Sequence, residues 1–317
     1  MIRAAIDIGS NTTLFLVAQQ QNDGKWQLLE ESLTTNGLGR ATAQDGGLTV
    51  AVQKRNLKIL QQLVARASAL GAQEIRAVGT AALRKATNAN EFVDYIKKEI
   101  GLEITVISGQ EEARLTYRGA LVDFPDRRDA FYRVPLGHDG ACPSICVVDV
   151  GGGSSEIVFG NGPEIIKAWS IPLGAVSLTQ SLVPSQPLAT EQMNQIQQFV
   201  QSELEQISVD DSDCLSSVIA VGGTAATLAA LKLSIDLSEL WKQAPISISR
   251  SAIDEFWQEF AGKSVPELAK IPHLPPDRAG IITAGTAILL GIMQKFRIEN
   301  IILSNKGLRW GILIDDK

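Results

Sequence analysis

Two aspartates, Asp7 and Asp149, each close an apolar run at the mouth of a loop built from glycine and small polar residues. The first stands in AAIDIGSNTTLFLV, Ala4 to Val17, and the second in VVDVGGGSSEIVFG, Val147 to Gly160. Close to half the chain separates them, which reads as a duplicated unit. Loops of this composition bring backbone N–H groups and hydroxyls up to a ligand with no side chain in the way, a surface suited to phosphate oxygens. The residues offered are Gly9, Ser10, Asn11 and Thr12 in the first copy and Gly151, Gly152, Gly153, Ser154 and Ser155 in the second. A carboxylate at such a place repels phosphate, so its chemistry is to hold a divalent cation, often through water, or to orient a nucleophile. One glycine-rich hairpin is ordinarily a plain turn. Two copies with the acid in the same position favour a site.

A third stretch, AVGGTAATLAAL from Ala220 to Leu231, reads as strand, Gly222-Gly223-Thr224, then helix. The unpaired N–H groups of the helix start make it a further anion or nucleotide site.

The elements that must position these loops follow from periodicity and punctuation. After the first strand pair come a strand at Trp26–Ser32 and a glycine-rich segment, TTNGLGRATAQDGGL, expected to be loop. Apolar residues at helical spacing predict a helix over 48–70, followed by a strand at 75–78, a small-residue loop, a helix over 90–100 and a strand in EITVIS. Ser108 can cap a helix carrying Glu111 and Glu112 in its first turn, where the helix dipole favours carboxylates. The aperiodic stretch 122–143 reads as a connection. The second half then repeats the grammar: strands at 144–148, 156–159 and 165–170, a helix over 190–207, the strand SVIAV, a polar stretch containing Trp241 and Trp257, an apolar helix over 281–296, the strand NIILS and a terminal NKGLRWGIL. This is α/β in two similar halves, with domains expected at 1–123 and 124–317.

Composition narrows the function classes. With 317 residues, 45% hydrophobic and 20% charged, the chain suits two globular domains. A net charge of −6 argues against a general nucleic-acid surface. No apolar run is long enough for a membrane span and the start lacks a signal-peptide core, so a cytoplasmic protein is expected. Cys142, Cys146 and Cys214, with only His138 and His273, complete neither a disulfide framework nor a zinc set, and read as free thiols. The arginines at 127, 128 and 133 alternate with acids and read as a solvated face.

The segments AAIDIGSNT, GTAALRKATN, ISGQEEARLTYRGA, VVDVGGGSSEI, AVGGTAAT and LSNKGLRWGIL occur in that order, and together they resemble the exopolyphosphatase and guanosine pentaphosphate phosphohydrolase family from Ile2 to Leu313. The resemblance implies two ribonuclease-H-like domains of the actin-like ATPase kind, closing as an interdomain cleft on a phosphate-bearing ligand. It implies Glu112 as general base for water and Arg84 as an arginine near the phosphates. It also implies Mg2+, with Mn2+ as an alternative, held by Asp149 and Glu156 with Asp7 opposite. The expected activity is release of terminal orthophosphate from inorganic polyphosphate. Guanosine pentaphosphate is the rival substrate, and a phosphotransferase or a non-catalytic nucleotide-binding scaffold are the other readings. Arg114, turned away from Glu112 by the helix, reads as structural. Two departures stand out. SNKGLR has Asn305 and Lys306 where the family often has Asp and Gly, and the chain ends at Lys317 where longer members add a helical region, which implies short-chain substrate. Relatives of this kind are often dimers, leaving a homodimer open, and a bacterial source is implied.

Overall fold

In the computed structural model, residues 1–124, 144–183, 185–208 and 215–315 are described. Cys142, Cys214, His138, the arginines at 127, 128 and 133, and most of the expected connection lie outside them. The chain runs β1 (Ile2–Ile8), β2 (Thr12–Gln20), β3 (Trp26–Thr35), α1 (Leu38–Asp45), α2 (Val50–Ala69), β4 (Glu74–Gly79), α3 (Ala81–Lys85), α4 (Ala89–Ile100), β5 (Ile104–Val106) and α5 (Gly109–Ala120). It continues through β6 (Ser144–Val150), β7 (Ser155–Asn161), β8 (Glu164–Ile171), α6 (Ala175–Leu182), α7 (Thr190–Leu204), β9 (Leu215–Val221), α8 (Gly222–Leu233), β10 (Ile246–Ser249), α9 (Arg250–Ala261), α10 (Val265–Leu268), α11 (Ile282–Lys295), β11 (Asn300–Leu303) and α12 (Leu308–Ile314).

Each half builds one sheet. The first has the order β3-β2-β1-β4-β5 and the second β10-β11-β9-β6-β7-β8. In both, an antiparallel meander (β1-β2-β3, β6-β7-β8) joins a parallel set (β1-β4-β5, β6-β9-β11) through its first strand. The same order written twice is the duplication that the two loops announce. β10 is the one addition, an antiparallel edge on the second sheet. The parallel strands need crossover helices, and these bury the sheet faces. In the first unit Phe15, Leu60, Phe92 and Ile96 fill the core, and in the second Phe159, Trp257 and Phe260 do, with α11 buried along nearly its whole length. A helix apolar all round belongs in a core, and α11 is one.

The units are Met1–Gly119 with Leu308–Lys317, and Ala120–Gly307. Sequence alone leaves the last helix with the second half; here α12 packs on β1, β2 and β4 of the first. The reason is its composition: Leu308, Trp310, Ile312 and Leu313 are all buried, while Arg3 donates to the carbonyl of Leu313 and Arg76 to those of Ile312 and Asp315. Cations at the carbonyl end of a helix satisfy its orphan acceptors and its dipole.

Several segments differ from the sequence reading: the expected small-residue loop after β4 contains α3, α6 lies where no element is expected, and two further segments hold helices whose signals can be traced. The expected loop 34–48 contains α1, flanked by two glycine caps: Gly37 (φ 74°) precedes it and Gly46 (φ 68°) follows, both in the left-handed region that favours glycine. The polar stretch around Trp257 contains α9, capped by Ser249, whose hydroxyl accepts from the Ala252 amide at 3.3 Å. Its buried face is Ile253, Trp257, Phe260 and Ala261, a helical stripe hidden among polar neighbours. Cys146 is fully buried and burial pushes its thiol far up, so it packs as a small hydrophobe. Among the described residues no helix is long and apolar enough to cross a membrane.

Candidate active site

Both hairpin loops close in the same way. Gly9 N–H donates to the Thr12 carbonyl and Gly151 N–H to the Ser154 carbonyl, each at 3.0 Å. A Cβ on Gly9 or Gly151 would press on that same carbonyl oxygen, at 3.0 and 2.9 Å respectively, which is why glycine opens both turns. Asp7 (7% exposed) pairs across the first hairpin with Leu14, and Asp149 across the second with Glu156. Directly opposed residues project on the same sheet face, so Asp149 and Glu156 are neighbouring carboxylates. Ser170 donates to Glu156 Oε1 at 2.8 Å.

The first loop is fastened by a residue that the sequence reading passed over. Asn36, almost fully buried, donates to the Gly9 carbonyl (2.8 Å) and to Thr13 Oγ1 (3.1 Å), and its own amide N–H donates to the Asn11 carbonyl. Its only sequence signal is the turn dipeptide Asn36-Gly37. Within this loop Asn11 Nδ2 is buried and makes no hydrogen bond among the described residues. A buried donor without an acceptor is costly, and an anionic oxygen would relieve it.

The second loop is held from its carbonyl side. The amides at the start of α6 donate to Gly151 and Gly152: Ala175 to Gly151 O at 2.9 Å, Val176 and Ser177 to Gly152 O at 2.8 and 3.1 Å. Gly174 lies so close beneath that a Cβ there would sit 2.5 Å from the Gly152–Gly153 peptide. Ser155 is fully buried with its hydroxyl donating to the Leu173 carbonyl at 2.5 Å, so that hydroxyl braces the fold.

The third element joins the second. β6 and β9 are parallel neighbours with Asp149 beside Val221, so the β9–α8 turn starts next to the Asp149 carboxylate. Gly222 has φ 84°, and a Cβ there would collide with Asp149 Oδ1; one on Gly223 would collide with the guanidinium of Arg278. Thr224 is buried, its side chain against Gly285 of α11. The two turn glycines are therefore enclosed by a carboxylate and a guanidinium. Arg278 is buried, its Nε lacks a hydrogen bond, and no carboxylate among the described residues forms an ion pair with it. Burial lowers its pKa, with Asp277 offsetting part of that. Nothing in HLPPDRAG marks this arginine beforehand. A buried cation is normally paired, so an anion at Arg278 would offset the cost of its burial.

Glu112 and Arg84 are brought together in the first unit. Glu112, in the first turn of α5, is 8% exposed, and Arg84 at the end of α3 donates from Nη1 to its Oε2 at 2.5 Å and to the Ile107 carbonyl at 3.1 Å. Burial pushes the Glu112 carboxyl above the usual range, and the Arg84 guanidinium pulls it part of the way back. A buried carboxylate with a raised pKa has electrostatics suited to accepting a proton. Ser108 Oγ accepts the Glu111 amide at 3.1 Å, the cap expected from sequence. Arg114 turns to Glu111 and away from Glu112, as expected.

These groups share an edge in each unit. β1, β4 and β5 are parallel, and the residues after them are stitched in sequence: Thr80 N–H to the Ile8 carbonyl, Ile107 N–H to the Gly79 carbonyl. The Asp7 loop, Arg84 and Glu112 thus emerge at the carboxyl ends of the parallel strands, where ligands of open α/β sheets bind. In the second unit Asp149, Gly222 and the segment after β11 emerge at the equivalent edge, with Ser304 N–H on the Ala220 carbonyl.

A pH effect follows. As a proton acceptor Glu112 would work only when ionised, which would place the acid limb of a pH–rate profile above the ordinary carboxylate range. Arg84→Gln removes the group that lowers the Glu112 pKa, and the limb moves to higher pH. An unmoved limb in a pH–rate profile would separate Arg84 from the titration of Glu112.

The family model for the Ppx/GppA phosphatase family matches residues 16–317. Among solved structures, the Aquifex aeolicus member of the Ppx/GppA protein family superposes with TM-score 0.79 at 29% identity, covering 99% of this chain and 96% of that one. A structure of the Aquifex aeolicus PPX-GPPA enzyme gives 0.80 at 29% identity, covering 99% and 98%. An exopolyphosphatase from Cytophaga hutchinsonii gives 0.81 at 22% identity, covering 98% and 96%, a likeness of fold. The architecture is accordingly the two-domain actin-like ATPase fold, as expected.

Proposed function

Because the chain belongs to the Ppx/GppA phosphatase family and is a phosphoanhydride hydrolase, we propose that it releases terminal orthophosphate from inorganic polyphosphate by attack of water. The observation that carries this reading is the buried Glu112 carboxylate, raised in pKa and held by Arg84 at the carboxyl edge of the first sheet. Glu112 accepts a proton from water as the water oxygen bonds to the terminal phosphorus. The bridging P–O bond breaks in line, orthophosphate departs, and the electron pair stays on the shortened chain. The chain's donors hold the substrate. Gly9, Ser10, Asn11 and Thr12 bind phosphate in the first unit, and Gly151, Gly152, Gly153 and Ser154, with Gly222, Gly223, Thr224 and Arg278, bind it in the second. Arg84 orients Glu112 with one nitrogen and has further N–H groups for a phosphoryl oxygen.

Among the described residues no three or more His, Cys, Asp or Glu are gathered as for an all-protein metal cage. Mg2+ needs none: it is commonly held by one or two carboxylates, with water and substrate phosphates completing its shell. The opposed Asp149 and Glu156 supply such an oxygen-only pair, suited to Mg2+ or Mn2+ over softer metals, with Asp7 the carboxylate of the first unit. A cation bound there would neutralise phosphate charge.

The test is orthophosphate release from short and long polyphosphate, guanosine pentaphosphate and ATP side by side. Polyphosphate is expected to be the fastest. Release from the guanosine nucleotide alone would move the protein to alarmone turnover.

A further inference from the structure

The Glu112–Arg84 pair depends on two elements, α5 and the β4–α3 connection, and one residue ties both together from outside the site. Asp315 follows α12. Its carboxylate receives a two-pronged bond from Arg114 of α5, Nη2 to Oδ2 at 2.6 Å and Nη1 to Oδ1 at 3.1 Å, and a second arginine of the same helix, Arg118, also donates to Oδ1. Its main-chain carbonyl accepts from Arg76 of β4, the strand that leads into α3 and Arg84. The Asp315 side chain is 13% exposed, so these bonds form largely out of water, where charge-assisted forks are strong.

Around this knot the contacts leave little slack. Gly311 of α12 lies against the α5 backbone so closely that a Cβ would collide with the Leu115 carbonyl, three residues beyond Glu112. Arg114 also binds both oxygens of Glu111, at 2.8 and 2.7 Å, so one guanidinium joins the two carboxylates. On β1, Arg3 bonds Glu74 at 2.9 Å and the Leu313 carbonyl at 3.3 Å, and Arg76 bonds Glu74 at 2.6 Å. The end of α12 is thus anchored to the sheet and gripped by α5 at once. What these groups set is where α5 stands relative to β4, and with it the distance from base to arginine.

We propose that Asp315, through the Arg114 fork, is a positioning residue that holds the helix of Glu112 in register with the strand leading to Arg84. The proposal rests on Glu112 as the general base. A misplacement of about 1 Å can cost on the order of a hundredfold in rate, so a loosened helix slows the chemical step and leaves substrate affinity nearly unchanged.

The experiment uses the full chain with polyphosphate. Asp315→Asn keeps the shape and breaks the charged fork; kcat is expected to fall about tenfold, part of that hundredfold, with KM within about twofold. Arg114→Lys, which keeps the charge without the fork, is expected to move the same way and serves if the first variant folds poorly. The decisive arm repeats Asp315→Asn in a Glu112→Gln background, where no further loss is expected because the group being positioned is gone. A lower Tm with unchanged kcat, or an equal loss in both backgrounds, would overturn the proposal. Full activity of Glu112→Gln alone would instead overturn the reading of Glu112 itself.

Discussion

Glu112→Gln is expected to lower the rate of orthophosphate release by about 10²–10⁴-fold, the usual contribution of a positioned proton acceptor. The amide has the shape of the carboxylate and cannot take the proton. It can still accept the Arg84 N–H that now reaches Oε2 at 2.5 Å, and the Ile107 carbonyl continues to hold the guanidinium at 3.1 Å. Stability is expected to change little, because two terms oppose each other. The substitution loses an ion pair and also removes a charge whose burial raises its pKa. Thermal unfolding and substrate binding by the variant check both halves of the expectation: loss of fold and binding together would make Glu112 a structural residue.

Gly222→Ala is expected to be the most damaging single methyl in the second unit. The backbone at φ 84° disfavours any L side chain, by about 1–2 kcal/mol, and the new Cβ would occupy the place of Asp149 Oδ1. Asp149 must then swing away from the turn. Activity is expected to fall by roughly a hundredfold, since displacement of a site group by about 1 Å costs that much, with Tm several degrees lower. Gly280→Ala is the matched control. Nothing stands within 4 Å of a Cβ there and its φ is not in the left-handed region, so a change within about 0.5 kcal/mol is expected. Equal behaviour of the two variants, in release assays and thermal unfolding, would remove the close approach of Asp149 to this turn from the account.

The two turns were legible as structures because their patterns are local. A tight turn that starts with an N–H to C=O bond at a close carbonyl requires glycine there, and the two copies betray each other. Thr12 and Ser154 close their turns at the same distance from Gly9 and Gly151. The pairing of Glu112 with Arg84 was not legible from spacing, because it joins α5 to α3 through the parallel order of β4 and β5. Arg278 was invisible for the same reason: it has no motif, and its meaning lies in being buried against Gly223. Asn36 offered only a turn signal, while its work is to fasten the first loop. Among the helices that sequence missed, α1 is only eight residues long and α9 has its buried stripe interrupted by polar residues. The composition of α12 shows that it must be buried, but not which sheet buries it, and here it returns to the first unit.

The central claim is that water attacks the terminal phosphorus of polyphosphate. The release assay run in ¹⁸O-labelled water tests it most directly, by locating the label in the products. The account predicts one ¹⁸O in each orthophosphate released and none in the shortened chain. Label in the remaining chain, or phosphate transfer that proceeds only when an acceptor such as ADP is added, would contradict it.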